Sequence, residues 1–257
     1  MKAHAITLSL CLAFAAPALR ADEATDTFGK LLAKYVTPTG VKYAAWRADA
    51  ADSKALSDVV AKLMKVDAKA LPDKDRFAHF INLYNATILD TVVKGKPKES
   101  VKDLSSGINP YEIFKREMVD MDGKKIGLND LEEMLRKQSK DPRVHFAVNC
   151  ASKSCPPISP EPYTATSLDA QLDKMAKAYF AMPGSINVKP SGKDLTLETV
   201  KILDWYKDDF EWAGGGVAFI EKMGPPDVVA KIQETKKAGG KVSLDFWDYD
   251  WNLNQAQ

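Results

Sequence analysis

The stretch Asp141-Pro-Arg-Val-His-Phe-Ala-Val-Asn-Cys-Ala-Ser-Lys-Ser-Cys-Pro-Pro157 gathers side chains able to do covalent and proton-transfer chemistry. A histidine such as His145 is a side chain able to act as a base at neutral pH. A cysteine becomes a useful nucleophile when an imidazole or a cation lowers its thiol pKa. Read as a strand, residues 143–149 place Arg143, His145, Ala147 and Asn149 on one face and Val144, Phe146 and Val148 in the core. Cys150 then continues the strand and faces away from His145. The tetrapeptide before Cys155 lets that residue loop back, so Cys155 is the preferred nucleophile and Cys150 the second choice. Asn149 would donate to an oxyanion, and Glu132 or Asp250 would orient the imidazole. The competing reading is a structural Cys150–Cys155 disulfide, which would abolish thiol chemistry unless reduced.

Three further motifs surround this stretch. Asn82 and Asn85, in Phe80-Ile-Asn-Leu-Tyr-Asn-Ala86, lie three apart and share a helix face. Buried amides need partners, so they pin neighbouring loops or, with Arg143, contact a ligand. In Leu128-Asn-Asp-Leu-Glu-Glu-Met-Leu-Arg136, Asp130 and Glu133 suit a first helical turn, and Glu132 and Arg136 form an i, i+4 pair. The tail Phe246-Trp-Asp-Tyr-Asp-Trp-Asn-Leu-Asn254, as a strand, puts Trp247, Tyr249, Trp251 and Leu253 on one face and Asp248, Asp250 and Asn252 on the other. Zinc held by His145, Cys150 and Cys155 would lack a fourth ligand, and the spacing fits no familiar zinc pattern. No metal and no cofactor are expected. Gly214-Gly215-Gly216 has neither the preceding strand nor the following lysine of a phosphate loop.

The elements that must position these groups follow from periodicity and turn residues. Helices are expected over 24–35, 53–65, 73–94, 129–136, 167–182, 199–210, 216–223 and 226–237. Val41 to Tyr43 reads as a short strand. Hairpins are expected with strands 113–121 and 124–128 around Asp122-Gly123, and 185–190 and 193–197 around Ser191-Gly192, and a last strand over 241–253. Helices and antiparallel hairpins are segregated, which predicts an α+β fold with helices packed on antiparallel hairpins or sheet.

The 257 residues carry 36 basic and 35 acidic side chains, with 45% hydrophobic and 28% charged residues. That profile excludes disorder, a collagen-like repeat and a disulfide-dense mini-protein, and the missing basic excess argues against nucleic-acid binding. Residues 1–21 read as a secretory signal peptide: Lys2, an apolar run from Ile6 to Ala16, then cleavage after Ala18 or Ala21. The expectation is therefore an exported protein, periplasmic or secreted, with one globular domain over 22–257. No later stretch approaches the roughly 20 apolar residues of a membrane span. Cleavage after Ala21 removes Cys11 and His4, leaving Cys150, Cys155, His79 and His145, in an oxidising location where disulfides persist.

These motifs, with Ile202-Leu-Asp-Trp-Tyr-Lys-Asp-Asp-Phe210, resemble in order those of the family catalogued as domain of unknown function 547, from about residue 26 to 254. The family usually has Phe-Trp where this chain has His79-Phe80. It usually has histidine after the helix glutamate, where this chain has Glu133. Any activity depending on that histidine is put in doubt here. A kinship with papain- or transglutaminase-like enzymes would need a permuted order, because His145 precedes both cysteines.

Two functions are expected to compete. The first is a thiol hydrolase or transferase acting on an amide or peptide bond, such as a peptide or cell-envelope substrate. The second is a non-catalytic envelope protein stapled by Cys150–Cys155, with a ligand cleft near Asn82, Asn85 and Arg143. A thiol–disulfide exchange protein is disfavoured, because the usual two-residue spacing between cysteines is missing.

Overall fold

The computed structural model describes residues 16–121 and 123–256, with side chains from Glu23 onward. The expected signal peptide thus falls largely outside the described residues. In chain order the elements are α1 (Ala16–Tyr35), β1 (Val36–Thr37), β2 (Gly40–Val41), α2 (Tyr43–Ala48), α3 (Ala50–Leu63), α4 (Asp73–Gly95) and α5 (Glu112–Lys115). Then come β3 (Val119–Met121), β4 (Lys124–Ile126), α6 (Leu128–Ser139), α7 (Leu168–Phe180), β5 (Asn187–Ser191) and β6 (Asp194–Thr199). The chain finishes with α8 (Ile202–Trp205), α9 (Lys207–Phe210), α10 (Gly216–Met223), α11 (Pro226–Lys237) and β7 (Val242–Phe246). The fold is α+β, as expected. Among the described residues no helix is long and apolar enough to cross a membrane.

Local chemistry explains the element boundaries that matter for the site. Asp49 caps α3 by accepting the Asp52 N–H at 3.0 Å. The Gly127 N–H donates to Asp130 at 2.9 Å, which fixes the start of α6. The β3–β4 hairpin turns at Gly123, whose φ of +81° favours glycine. The second expected hairpin is β5–β6, in register Val188 with Leu197. β7 then joins β6 in parallel, Leu197 beside Leu244, so this sheet is mixed rather than purely antiparallel. A parallel pair needs a long crossover, and α8 to α11 supply it.

Two expected strands do not form. Residues 143–149 are not extended: Pro142–Phe146 is a 3-10 helix. Pro142 has no N–H to give a ladder, and Asp141 accepts the Arg143 N–H at 2.9 Å, which sets a helical turn. The tail is a strand only as far as Phe246. Beyond it the chain runs across other segments through single bridges, Ser152 to Leu253, Ser100 to Asn252 and Val41 to Gln255. Tyr43 likewise opens a helix instead of ending a strand.

The apolar side chains form two clusters. One lies among α1, α3, α4 and α6; the other joins α7, the mixed sheet and α8 to α11. The 3-10 segment serves both, sending Val144 and Val148 into the first and Phe146 into the second. Phe146 packs on Phe180 and Phe219, with ring centroids 5.2 and 5.4 Å apart. That two-sided burial explains why a period of two misread the segment. The residues beside the two clusters build the site.

Candidate active site

His145 is buried, and its Nε2 lies 2.8 Å from Asp209 Oδ2. Asp209, at the end of α9, also accepts from Arg136 of α6, Nε at 2.5 Å and a second nitrogen at 3.1 Å. Burial would raise the Asp209 carboxyl, but hydrogen bonds from His145 and Arg136 outweigh it and hold it down to about 2. An ionised carboxylate can only accept, so Nε2 carries the proton and Nδ1 is left as the basic nitrogen. The ring is stacked against Tyr206, centroids 4.1 Å apart, and Phe210 lies at 5.7 Å. The Arg136 guanidinium in turn sits 4.4 Å from the centre of the Tyr206 ring. The imidazole is thus fixed in tautomer and in plane.

The thiols occupy a tight turn just beyond. Ala151 takes a left-handed φ of +62°, rare for a residue with a Cβ. Asn149 Oδ1 holds it there by accepting the Ala151 N–H at 2.7 Å. The tail clamps the same turn: Lys153 N–H donates to the Asn252 carbonyl at 2.8 Å, and Asn254 N–H to the Ala151 carbonyl at 3.1 Å. Strained backbone held from several sides is characteristic of functional turns. Both cysteines are free thiols in this structure. The half-buried Cys150 sulfur lies 3.0 Å from Ser152 Oγ and 3.3 Å from the Tyr249 hydroxyl. The Cys155 sulfur is buried and accepts the Cys150 N–H at 3.0 Å.

The two thiols are therefore unlike. Burial tends to raise Cys150, but its contacts with Cys155, Ser152 and Tyr249 outweigh that and bring it to about 7. Burial and the neighbouring Cys150 push Cys155 well above the ordinary thiol range. A cleft of about 410 Å³ is lined by Cys150, Cys155, His145 and Glu132, among others. Tyr84 of α4, Tyr111 and Phe114 around α5, Trp205 of α8, Tyr206 just after it, and Tyr249 and Trp251 of the tail also line it. Among the described residues no hydrogen bond joins His145 to either sulfur. A thiol and a carboxylate-held imidazole lining one cleft can support acyl transfer through sulfur.

The residues singled out in the sequence fare differently. Cys150, Cys155, His145 and Glu132 meet in the cleft. Of the two, Cys155 is the more buried residue, and Cys150 has the hydroxyl neighbours. Asp250 does not hold His145; its carboxylate accepts the Asn252 N–H at 2.9 Å, because the tail strand that would have aimed it is not formed. Glu132 lies beside Tyr206 rather than on the imidazole. Asn149 is committed to structure, donating to the Pro156 carbonyl at 2.7 Å. Asn82 spans the Tyr163 N–H and carbonyl, both at 2.8 Å. Asn85 spans the Ala147 carbonyl and the Asn149 N–H at 2.8 and 3.0 Å. Both amides pin loops and neither lines the cleft. Arg143 pairs with Asp141, Asp169 and Asp173, clipping the 3-10 segment to α7, also away from the cleft. Sequence reasoning missed Asp209 as the imidazole's partner. Its signal was an acid just before Phe210 in an otherwise apolar-spaced segment.

Fold and cleft together define an α+β protein with a thiol and a carboxylate-held imidazole in one aromatic cleft. Residues 68–180 match the family described as "Protein of unknown function, DUF547". The matched span takes in α4, α6 and both cysteines; Asp209 and the tail lie beyond it. No curated protein and no solved structure matched the chain.

Proposed function

We propose that this is an exported thiol hydrolase or transferase acting on amide or peptide bonds, with Cys150 as nucleophile. The observation that carries this reading is the shared cleft, lined both by a thiol flanked by two hydroxyls and by the Asp209-held His145. His145 Nδ1 takes the thiol proton, and Asp209 stabilises the imidazolium that results. The Cys150 sulfur adds to the carbonyl carbon, and the Ser152 or Tyr249 hydroxyl is placed to donate to developing charge. Collapse expels the amine, which takes the proton from Nδ1 and leaves a thioester. Water or an acceptor amine then attacks that thioester and regenerates the thiol.

The test is alkylation of the reduced, folded protein with iodoacetamide across pH, read by peptide mass mapping. Cys150 should react with a midpoint of about 7, while Cys155 stays unlabelled until the protein is unfolded. Equal, slow labelling of both thiols would refute the nucleophile. A second reading, a non-catalytic protein with a Cys150–Cys155 staple, is favoured by the closeness of the Cys155 sulfur to the Cys150 amide. Protein purified from its native compartment and unfolded without reductant would then show no free thiol.

A further inference from the structure

The cleft around Cys150 and His145 has a one-sided chemical lining. Seven of its fourteen lining residues are Phe, Tyr or Trp. Among the described residues that line it, Glu132 is the sole carboxylate and there is no lysine or arginine. The nearest cations lie outside that lining and have partners. Arg136 is bound to Asp209 and lies on the Tyr206 ring. The Lys102 ammonium lies 4.5 Å from the Trp251 ring centre and 4.9 Å from that of Tyr111. The rings at this end therefore already hold one ammonium. Aromatic faces carry partial negative charge, and a cation over them gains further when it is removed from water. Trp205 and Tyr111 remain 47 and 40% exposed, so apolar ring surface is open to an incoming group.

From this the geometry points to a cationic substrate: an amide that carries a protonated amine, received between the aromatic wall and the Glu132 carboxylate. The inference rests on Cys150 being the reacting thiol. A substrate carboxylate in the same place would meet Glu132 with no lysine or arginine in the lining to offset it, which costs binding. Glu132 is thus a specificity-determining group rather than a partner of the imidazole.

Three methanethiosulfonates with neutral methyl, cationic trimethylammonioethyl and anionic sulfonatoethyl tails test this without a known substrate. In each case the Cys150 thiolate attacks the sulfenyl sulfur, a mixed disulfide forms, and methanesulfinate leaves with the bonding electrons. Rates on the reduced protein are divided by the neutral reagent's rate on the same protein, then compared with a free thiol in solution. The cation-to-anion ratio should exceed the free-thiol ratio by about tenfold, as expected for one charge a few ångströms away in a partly shielded cleft. Glu132→Gln should bring it within about threefold of the free thiol, and added salt should shrink it in the unmodified protein. A ratio equal to the free thiol's, a preference for the anionic tail, or a ratio indifferent to both Glu132→Gln and salt would overturn the inference. Failure of the neutral reagent to label Cys150 would instead overturn the thiol reading on which it rests.

Discussion

Asp209 decides the state of the imidazole, and its effect is measurable apart from any activity. Its carboxyl is held at about 2, below its ordinary 3.8, so it contributes stability that is present above pH 4 and lost as pH falls through 2. The shift corresponds to about 2 kcal/mol. Asp209→Asn should cost about 2 to 4 kcal/mol in urea unfolding at neutral pH, because Arg136 then loses a charged partner in a half-buried place. The Cys150 alkylation midpoint near 7, set by Cys155, Ser152 and Tyr249, should stay in place. His79 supplies a second pH effect. Burial lowers its pKa from 6.5 to about 4, so the unfolded chain binds the proton more readily than the folded one. Stability is full above pH 6.5 and falls by about 3 kcal/mol as pH drops to 4. His79→Phe, a ring of similar width, should flatten that part of the unfolding-versus-pH curve; an unchanged slope would refute the assignment.

At the scale of elements, α4 is the post to which the reactive segment is tied. Asn85 satisfies one N–H and one carbonyl on either side of Val148, and no neighbouring backbone replaces those contacts. Asn85→Ala should therefore cost about 2 to 4 kcal/mol, two buried backbone groups being left without partners. Cys155 should gain reactivity as the turn loosens. Asn82→Ala should cost a similar amount through the loop at Tyr163, yet leave the Cys150 midpoint in place, since that loop does not line the cleft. The contrast between these two variants, read by urea unfolding and alkylation together, separates positioning from stability. The pair of asparagines was legible in the sequence as loop pins. Which loop each one holds was not, because that depends on residues more than sixty positions away.

For the whole molecule, the cleft lies where two apolar clusters meet and where the tail crosses back over the cysteine turn. Val41 N–H donates to the Asn254 carbonyl and Ala256 N–H to the Val41 carbonyl, so the tail is tied to β2. Gly40, with φ +138°, permits that approach: a Cβ there would lie 2.2 Å from the Asn254 carbonyl oxygen. Deleting residues 250–257 removes Trp251 from the cleft and the backbone bonds that hold Ala151 and Lys153. The truncated protein should label at both cysteines with iodoacetamide while folded, and amides 151–155 should exchange faster with deuterium. Retained selectivity for Cys150 would show that the tail only covers the site.

The sequence by itself determined the α+β class, most helices, both hairpins and the small set of residues available for chemistry. These are local properties, written in periodicity, turn residues and the count of thiols and imidazoles. Tertiary structure alone decided the surroundings of the two cysteines, the partner of His145 and the course of the tail. Residues 142–148 face two cores at once, so their pattern of apolar positions mimics a strand that does not exist. Asp209 reaches His145 across 64 residues, a pairing that no local spacing encodes. The hydroxyls beside Cys150 come from Ser152 and from Tyr249 of the tail, groups that only the folded chain brings to one sulfur.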